Sequence, residues 1–261
     1  MLPTVQISVL TQKHSAYGLK LLNLLQGSGI QVQQVVVFVG TWARRARWLR
    51  RFANHIGWIG SVRYLASGWG RSPYVLHNDV WRGRALERDY ARLARRVDFA
   101  QDPWSLETVE ALRAGQPDLC LLAHTEIVPD AVLDVPKFTT LNAHPGILPD
   151  YRGSDPELWA IYEGRFDCVG CTLHIAQRRV DAGPILATRR YTWRGDETLD
   201  LLSERLMEMN LDLLAGACHE AWPAYLAGAT PQSIGRLYYI VPPGLRGKLE
   251  NRLRSFLSQR Q

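Results

Sequence analysis

The 261-residue chain is poor in cysteine and has no long apolar run. Its four cysteines, Cys120, Cys168, Cys171 and Cys218, are too few to staple a chain of this length, which excludes a disulfide scaffold and makes reduced thiols the expectation. No stretch approaches the roughly eighteen apolar residues of a bilayer span. The opening MLPTVQISVL also lacks the basic lead and cleavage site of a signal peptide. The expected location is therefore the cytoplasm, with the inner membrane face left open as a peripheral site. Internal repeats and low-complexity tracts are absent too. The 46% hydrophobic and 21% charged residues that are present exclude disorder and fibrous architecture. One large domain with an appendage fits the length.

Charge is unevenly placed. The chain carries +6, but the segment 42–96 alone carries +10, with thirteen arginines, no lysine and three acids, leaving −4 for the remainder. Five of the nine tryptophans fall in the same segment. It reads as a basic insertion. Trp42, Ala46, Leu49, Ala53, Ile56 and Gly60 form one helical stripe, with Arg44, Arg45, Arg47, Arg50 and Arg51 mostly beside or opposite it.

The apolar run 5–11, helical spacing from Ala16 to Leu25, glycines at 27 and 29, and a second apolar run at 32–40 predict one βαβ unit. That unit implies an α/β fold with a doubly wound, mainly parallel sheet. Beyond the insertion, a helix is expected at 104–114 and strands at 119–123, 139–143, 171–176 and 184–192. A helix is expected at 155–164 with Trp159 in the core, a long one at 199–227, and a helical tail after the proline pair at 242–243.

Asn142 and His144 stand at the carboxyl end of a predicted parallel strand, where open α/β sheets place ligands. Residues two apart share a face, so an amide and an imidazole can converge on one reacting atom. Asp181 follows the next strand at a tight turn ending in Gly183-Pro184 and can hold a protonated imidazole. A carboxamide, a histidine and a carboxylate suit acyl transfer to an amine: the donors stabilise an oxyanion, and the acid-base pair moves protons. Each residue alone would more often be structural. His174, within a strand, reads as structural or site-lining. Cys168 and Cys171 form a CxxC, but no second pair completes a zinc site, so no metal is expected.

The stretch LNAHPGILPDYRGSDPELWAIYEGRFDCVGCTLHIAQRRVDAGPIL from Leu141 resembles the folate-dependent formyltransferase family. An Asn-x-His-Pro turn, Leu-Pro-x-x-x-Gly, a Gly-x-Thr-x-His strand and Asp-x-Gly-Pro-Ile follow in the family's order. The resemblance is clear over about 118–210. It implies a Rossmann-like formyltransferase fold, with a catalytic domain at 1–230 interrupted by the basic insertion and a linker and basic helical tail at 231–261. It also implies 10-formyltetrahydrofolate as cosubstrate and Asn142, His144 and Asp181 as the catalytic set. The donor pocket maps by resemblance to Leu122, Ala123, His124, Ile127, Val128 and Leu141, with Ile147 flanking, and His124 stands where the family often has glycine.

The acceptor implied is a primary amine. TQKHSAYG replaces the glycine- and serine-rich phosphate loop of the purine-pathway members, and no room remains for the C-terminal barrel of the methionyl-tRNA members. Members acting on amino sugars fit best. Arg44, Arg45, Arg47 and Arg152 are candidates to bind a pyrophosphate on a nucleotide-linked or lipid-linked amino sugar. A solvated basic helix, or peripheral membrane contact through 42–60, would suit the same stripe. Nucleic acid is disfavoured, since no recognition module accompanies the charge. Hydrolysis of the formyl donor and a non-catalytic anion- or membrane-binding protein on the same fold are the alternatives; oligomeric state is not legible.

Overall fold

In the computed structural model of the protein, residues 5–13, 15–40, 57, 59 and 83–260 are described, 83–87 as backbone only. The opening apolar run forms β1 (Ile7–Gln12), and α1 (Ala16–Gly27) returns the chain to β2 (Val32–Phe38). Most of their strand residues are buried, as fits strands covered by helices on both faces. The helical stripe at 42–60, with Arg44, Arg45 and Arg47, lies outside the described residues. Then come α2 (Gly83–Leu93), β3 (Ala94–Ala100), α3 (Leu106–Gly115), β4 (Leu119–Ala123), α4 (Asp130–Leu133) and β5 (Thr139–His144). After these, the two-residue strand β6 (Arg152–Gly153), α5 (Pro156–Glu163), β7 (Gly170–Ile175) and β8 (Ile185–Arg190) complete the motif region. The chain ends with α6 (Leu199–Ala217), α7 (Ala224–Ala227), β9 (Leu237–Tyr238) and α8 (Arg246–Ser258).

The seven-stranded sheet has the order β3-β2-β1-β4-β5-β7-β8. Strands β3 through β5 pair in parallel, whereas β7 is antiparallel to both β5 and β8. Alternation sorts the core into two clusters. Val9, Val35, Leu121, Leu141 and Leu173 meet Leu21 and Leu25 of α1 and Leu202 and Leu206 of α6 on one face. Leu10, Val36, Cys120 and Leu122 meet Leu112 of α3 and Val132 of α4 on the other. The expected α/β, mainly parallel, Rossmann-like sheet with helices on both faces is what the molecule has. Because β2 and β4 flank β1, the sheet has its switch point between β1 and β4, where ligand crevices form at the carboxyl ends of the strands.

Three elements differ from expectation. The segment assigned to the insertion ends in α2 and the start of β3, which pairs with β2 from Val32↔Ala94 to Phe38↔Ala100. As an edge strand it needs no continuous apolar run. Arg95 and Arg96 are exposed, and Arg96 pairs with Asp98 at 2.7 Å, so charge masked the strand signal. The helix expected at 199–227 stops at Ala217; Pro223 follows, and proline cannot extend a helix interior. Residues 231–260, expected as linker and tail, pack on the core: Leu249, Leu253 and Leu257 of α8 are buried, and Phe256 stacks on Phe166 with centroids 3.8 Å apart.

Candidate active site

Period-two alternation puts Asn142 and His144 on the same face of β5, opposite Leu141 and Ala143. Ladder pairing then sets Asn142 beside Leu122 of β4 and His174 of β7, and His144 beside Thr172. Since β7 runs antiparallel, it leads away from the His144 end. The loop after it turns back to bring Asp181 over the same face, where one carboxylate meets both imidazoles. Asp181 Oδ2 lies 3.4 Å from His144 Nδ1, and Oδ1 lies 3.6 Å from His174 Nε2. The Asn142 amide stands 3.1 Å from His174 Nε2 and 3.5 Å from Asp181 Oδ1. Asn142, His144 and Asp181 are thus brought together, with His174 as a fourth member.

Hydrogen-bond accounting fixes the ring protons. A carbonyl oxygen only accepts, so His144 Nε2, 2.8 Å from the Tyr151 carbonyl, carries a proton. By the same reasoning His174 Nδ1 donates to the Ile175 carbonyl at 2.9 Å, which leaves Nε2 to accept from the Asn142 amide. The space between His144 Nδ1 and Asp181 is where a further proton can be held. Burial lowers the His144 pKa below the ordinary histidine value, against the raising effects of Asp181 and the Tyr151 carbonyl. Burial would raise Asp181, but the charge His144 can carry and the Gly153 N–H outweigh it and hold the carboxyl well below the usual range. A largely buried anion therefore faces a ring that can take up and release one proton.

The motif residues around these groups have local reasons. Thr172 Oγ1 donates to the Gly146 carbonyl at 2.8 Å and accepts from Leu148 N at 3.1 Å, pinning the turn that follows His144. Gly183 is required by close approach, because a Cβ there would stand 1.8 Å from the Ile175 carbonyl oxygen. Asp181 itself has φ +48°, a left-handed conformation that aspartate adopts more readily than most residues. Gly153 has φ +97°, and its N–H donates to Asp181 Oδ2 at 2.9 Å.

The donor-pocket set is divided. Leu122 and Val128 belong to the cluster on the site's face, whereas Ala123 and Leu141 are packed on the opposite face. Ile127 is exposed and Ile147 buried. His124 has φ +58°, which accounts for glycine being suited to that position. Its Nδ1 meets Ser15 Oγ at 3.2 Å across the β1–β4 switch point, and burial lowers its pKa. Arg152 is placed differently from an anion-binding arginine. Its guanidinium is buried and donates to the carbonyls of Val180 and Gly235. Cys168 and Cys171 are free and buried, and Cys171 Sγ meets the Leu206 carbonyl. Trp159 is only partly buried, with its indole N–H on the Tyr239 carbonyl. Sequence reasoning missed Gln232, whose amide reaches the Asp181 and Gly183 carbonyls, because a lone glutamine in a polar stretch carries no pattern.

Residues 91–217 match the family described as formyl transferase. A methionyl-tRNA formyltransferase of Thermotoga maritima is 33% identical over 184 residues, which cover 69% of this chain and 56% of that protein. Matches to curated methionyl-tRNA formyltransferases span from 34% to 56% of the relatives' own lengths. Among solved structures, glycinamide ribonucleotide transformylase 1 from Symbiobacterium toebii aligns with TM-score 0.54 at 21% identity, covering 82% of this chain and 86% of its own. A sugar N-formyltransferase from a Shewanella species also aligns with TM-score 0.54, at 16% identity, covering 90% of this chain and 77% of its own. The structural likenesses establish the fold. The resemblance to folate-dependent formyltransferases, first legible in the motif run from Leu141, is shown over the matched segment.

Proposed function

We propose, for a chain whose segment 91–217 carries the formyl transferase match, that it transfers a formyl group from 10-formyltetrahydrofolate to a primary amine. The single observation that carries this reading is the convergence of Asn142, His144 and Asp181 within hydrogen-bonding reach on one sheet face. The donor supplies an activated one-carbon acyl group on nitrogen. A carbon–nitrogen bond forms to the acceptor amine, the bond to the donor nitrogen breaks, and one proton passes from the first nitrogen to the second. The His144–Asp181 pair holds that proton in transit at Nδ1, and the half-buried Asn142 carboxamide orients the formyl oxygen. Ile127 offers exposed apolar surface for the donor ring, backed by the buried Leu122 and Val128. A cavity of about 360 Å³ lined by Leu133, Ala176, Gln177 and Arg179 adjoins the turn that carries Asp181. No step here calls on a metal.

His144→Ala, Asn142→Ala and Asp181→Ala should each depress transfer by about a hundredfold or more. The acid limb of kcat/KM should fall below the ordinary histidine value, because burial lowers His144. Formate release without a formylated amine would instead identify a hydrolase, and folate binding without turnover a non-catalytic protein. For the acceptor, we propose an amino sugar on a phosphate-bearing carrier, with Arg44, Arg45 and Arg47 as carrier contacts. The sugar N-formyltransferase likeness and the +10 segment support that choice. A methionyl-tRNA acceptor is the second reading, favoured by the 33% identity to the Thermotoga maritima protein. One assay compares free, nucleotide-linked and lipid-linked amino sugar with methionyl-tRNA. Turnover of methionyl-tRNA alone would overturn the sugar assignment and keep formyl transfer.

A further inference from the structure

The turn bearing Asp181 is gripped from the far end of the chain. The Gln232 amide donates to the carbonyls of Asp181, at 3.4 Å, and Gly183. Arg152, itself buried, donates from Nε to the Val180 carbonyl at 3.0 Å and from Nη1 to the Gly235 carbonyl at 3.0 Å, with Nη2 also on Val180. Backbone pairing ties the same stretch down on both sides. Ile185 and Thr230 exchange bonds of 2.8 and 2.7 Å, while β6 pairs with β9 through Arg152↔Leu237 and Gly153↔Tyr238. Each nitrogen of the Arg152 fork thus donates to a backbone carbonyl immediately before Asp181 or in the segment that carries Gln232.

We propose that Arg152 and Gln232 are positioning residues, which clamp the backbone of 180–183 so that the Asp181 carboxylate stays against His144. The inference rests on the formyl-transfer reading in which that pair moves the proton. Displacing a carboxylate by an ångström removes both its alignment and much of its pull on the ring proton. Among the described residues, the charged and titratable groups acting on His144 are Asp181, His174 and Arg152. A test must therefore leave charge unchanged, and two variants do. Gln232→Leu removes the donor from an amide whose own buried oxygen has no partner among the described residues, and keeps the charge unchanged. Arg152→Lys keeps the charge and loses the planar fork.

The experiment uses the full chain. The His144 imidazole is titrated by 15N NMR without donor or acceptor, and kcat is compared with KM for 10-formyltetrahydrofolate. The expected result for each folded variant is a His144 midpoint lower by about half a pH unit, since the pull of Asp181 is weakened. A kcat lower by about tenfold should accompany it, with KM for the donor little changed. Unchanged midpoint and kcat in Gln232→Leu would overturn the proposal, whether or not Arg152→Lys folds. A lowered midpoint in a protein that transfers no formyl group would keep the clamp and refute the transfer reading.

Discussion

Residues 141–184 and residues 230–258 both build the site, by different physics. In the first region the reactive side chains are set by strand alternation and ladder register: Asn142 and His144 are two apart, and each faces a partner on β7. In the second, no reactive side chain is contributed. The stretch grips backbone, through Gln232 on two carbonyls, the Gly235 carbonyl on Arg152, and β9 on β6. Chemistry in this fold is written where side chains recur at fixed spacing, and its alignment depends on a segment whose contribution is mainly main-chain.

The comparison breaks most visibly at α8. Leu249, Leu253 and Leu257 follow one another at i, i+4 and are all buried. Leu253→Ala should cost about 3 kcal/mol in denaturant unfolding, the scale of a leucine deleted from a packed core. A loss under about 0.5 kcal/mol would make α8 the solvated basic tail its composition suggests.

Legibility followed the same divide. The βαβ opening, β4, β5 and β7 were readable because buried parallel strands are near-continuous apolar runs. Asn142, His144 and Asp181 were readable because they sit in a motif run. β3 was hidden by Arg95 and Arg96, since an edge strand with one open side need not be apolar. The division of Ala123 and Leu141 from Leu122 and Val128 was available in principle from alternation, but the pocket set was assigned by resemblance, which follows the order of residues and not the face they point to. The grip of Gln232 and the fork of Arg152 on Val180 had no sequence signal, because a carbonyl partner leaves no trace in residue type.

Two acids at the start of α5 sharpen the contrast, one facing the second region and the other α6. Asp155 accepts from Val241 N at 2.8 Å, and Glu157 accepts from Ser203 of α6 at 2.7 Å. Burial pushes their pKa values up, to about 6 for Asp155 and to about 7 for Glu157. A raised folded pKa gives stability that is fully present below the unfolded value, near 4.5 for glutamate, and lost as pH rises through 7. Glu157→Gln keeps an acceptor for Ser203 and removes the ionisation. Its gain over the native chain should grow from under about 0.5 kcal/mol at pH 4.5 to about 3 kcal/mol at pH 8, measured by denaturant unfolding across that range. A gain independent of pH would show that ionisation of Glu157 is not what loosens its contact with α6.

The smallest effect is expected where the motif region supports itself. Thr172 Oγ1 bridges the Gly146 carbonyl and the Leu148 N–H, on the turn that directly follows His144. Thr172→Val keeps the branched shape in β7 but leaves one buried acceptor and one buried donor unmet. The cost should be about 1 kcal/mol, less than the full penalty if the turn relaxes enough to find new partners. His144 remains tied through Nε2 to the Tyr151 carbonyl, and its backbone remains in the ladder, so kcat should fall only about threefold, with the His144 titration midpoint unchanged. Steady-state kinetics beside the same 15N titration separates the two kinds of support. A midpoint shift in Thr172→Val as large as that in Gln232→Leu would mean that the local turn, and not the distant clamp, sets the distance between His144 and Asp181.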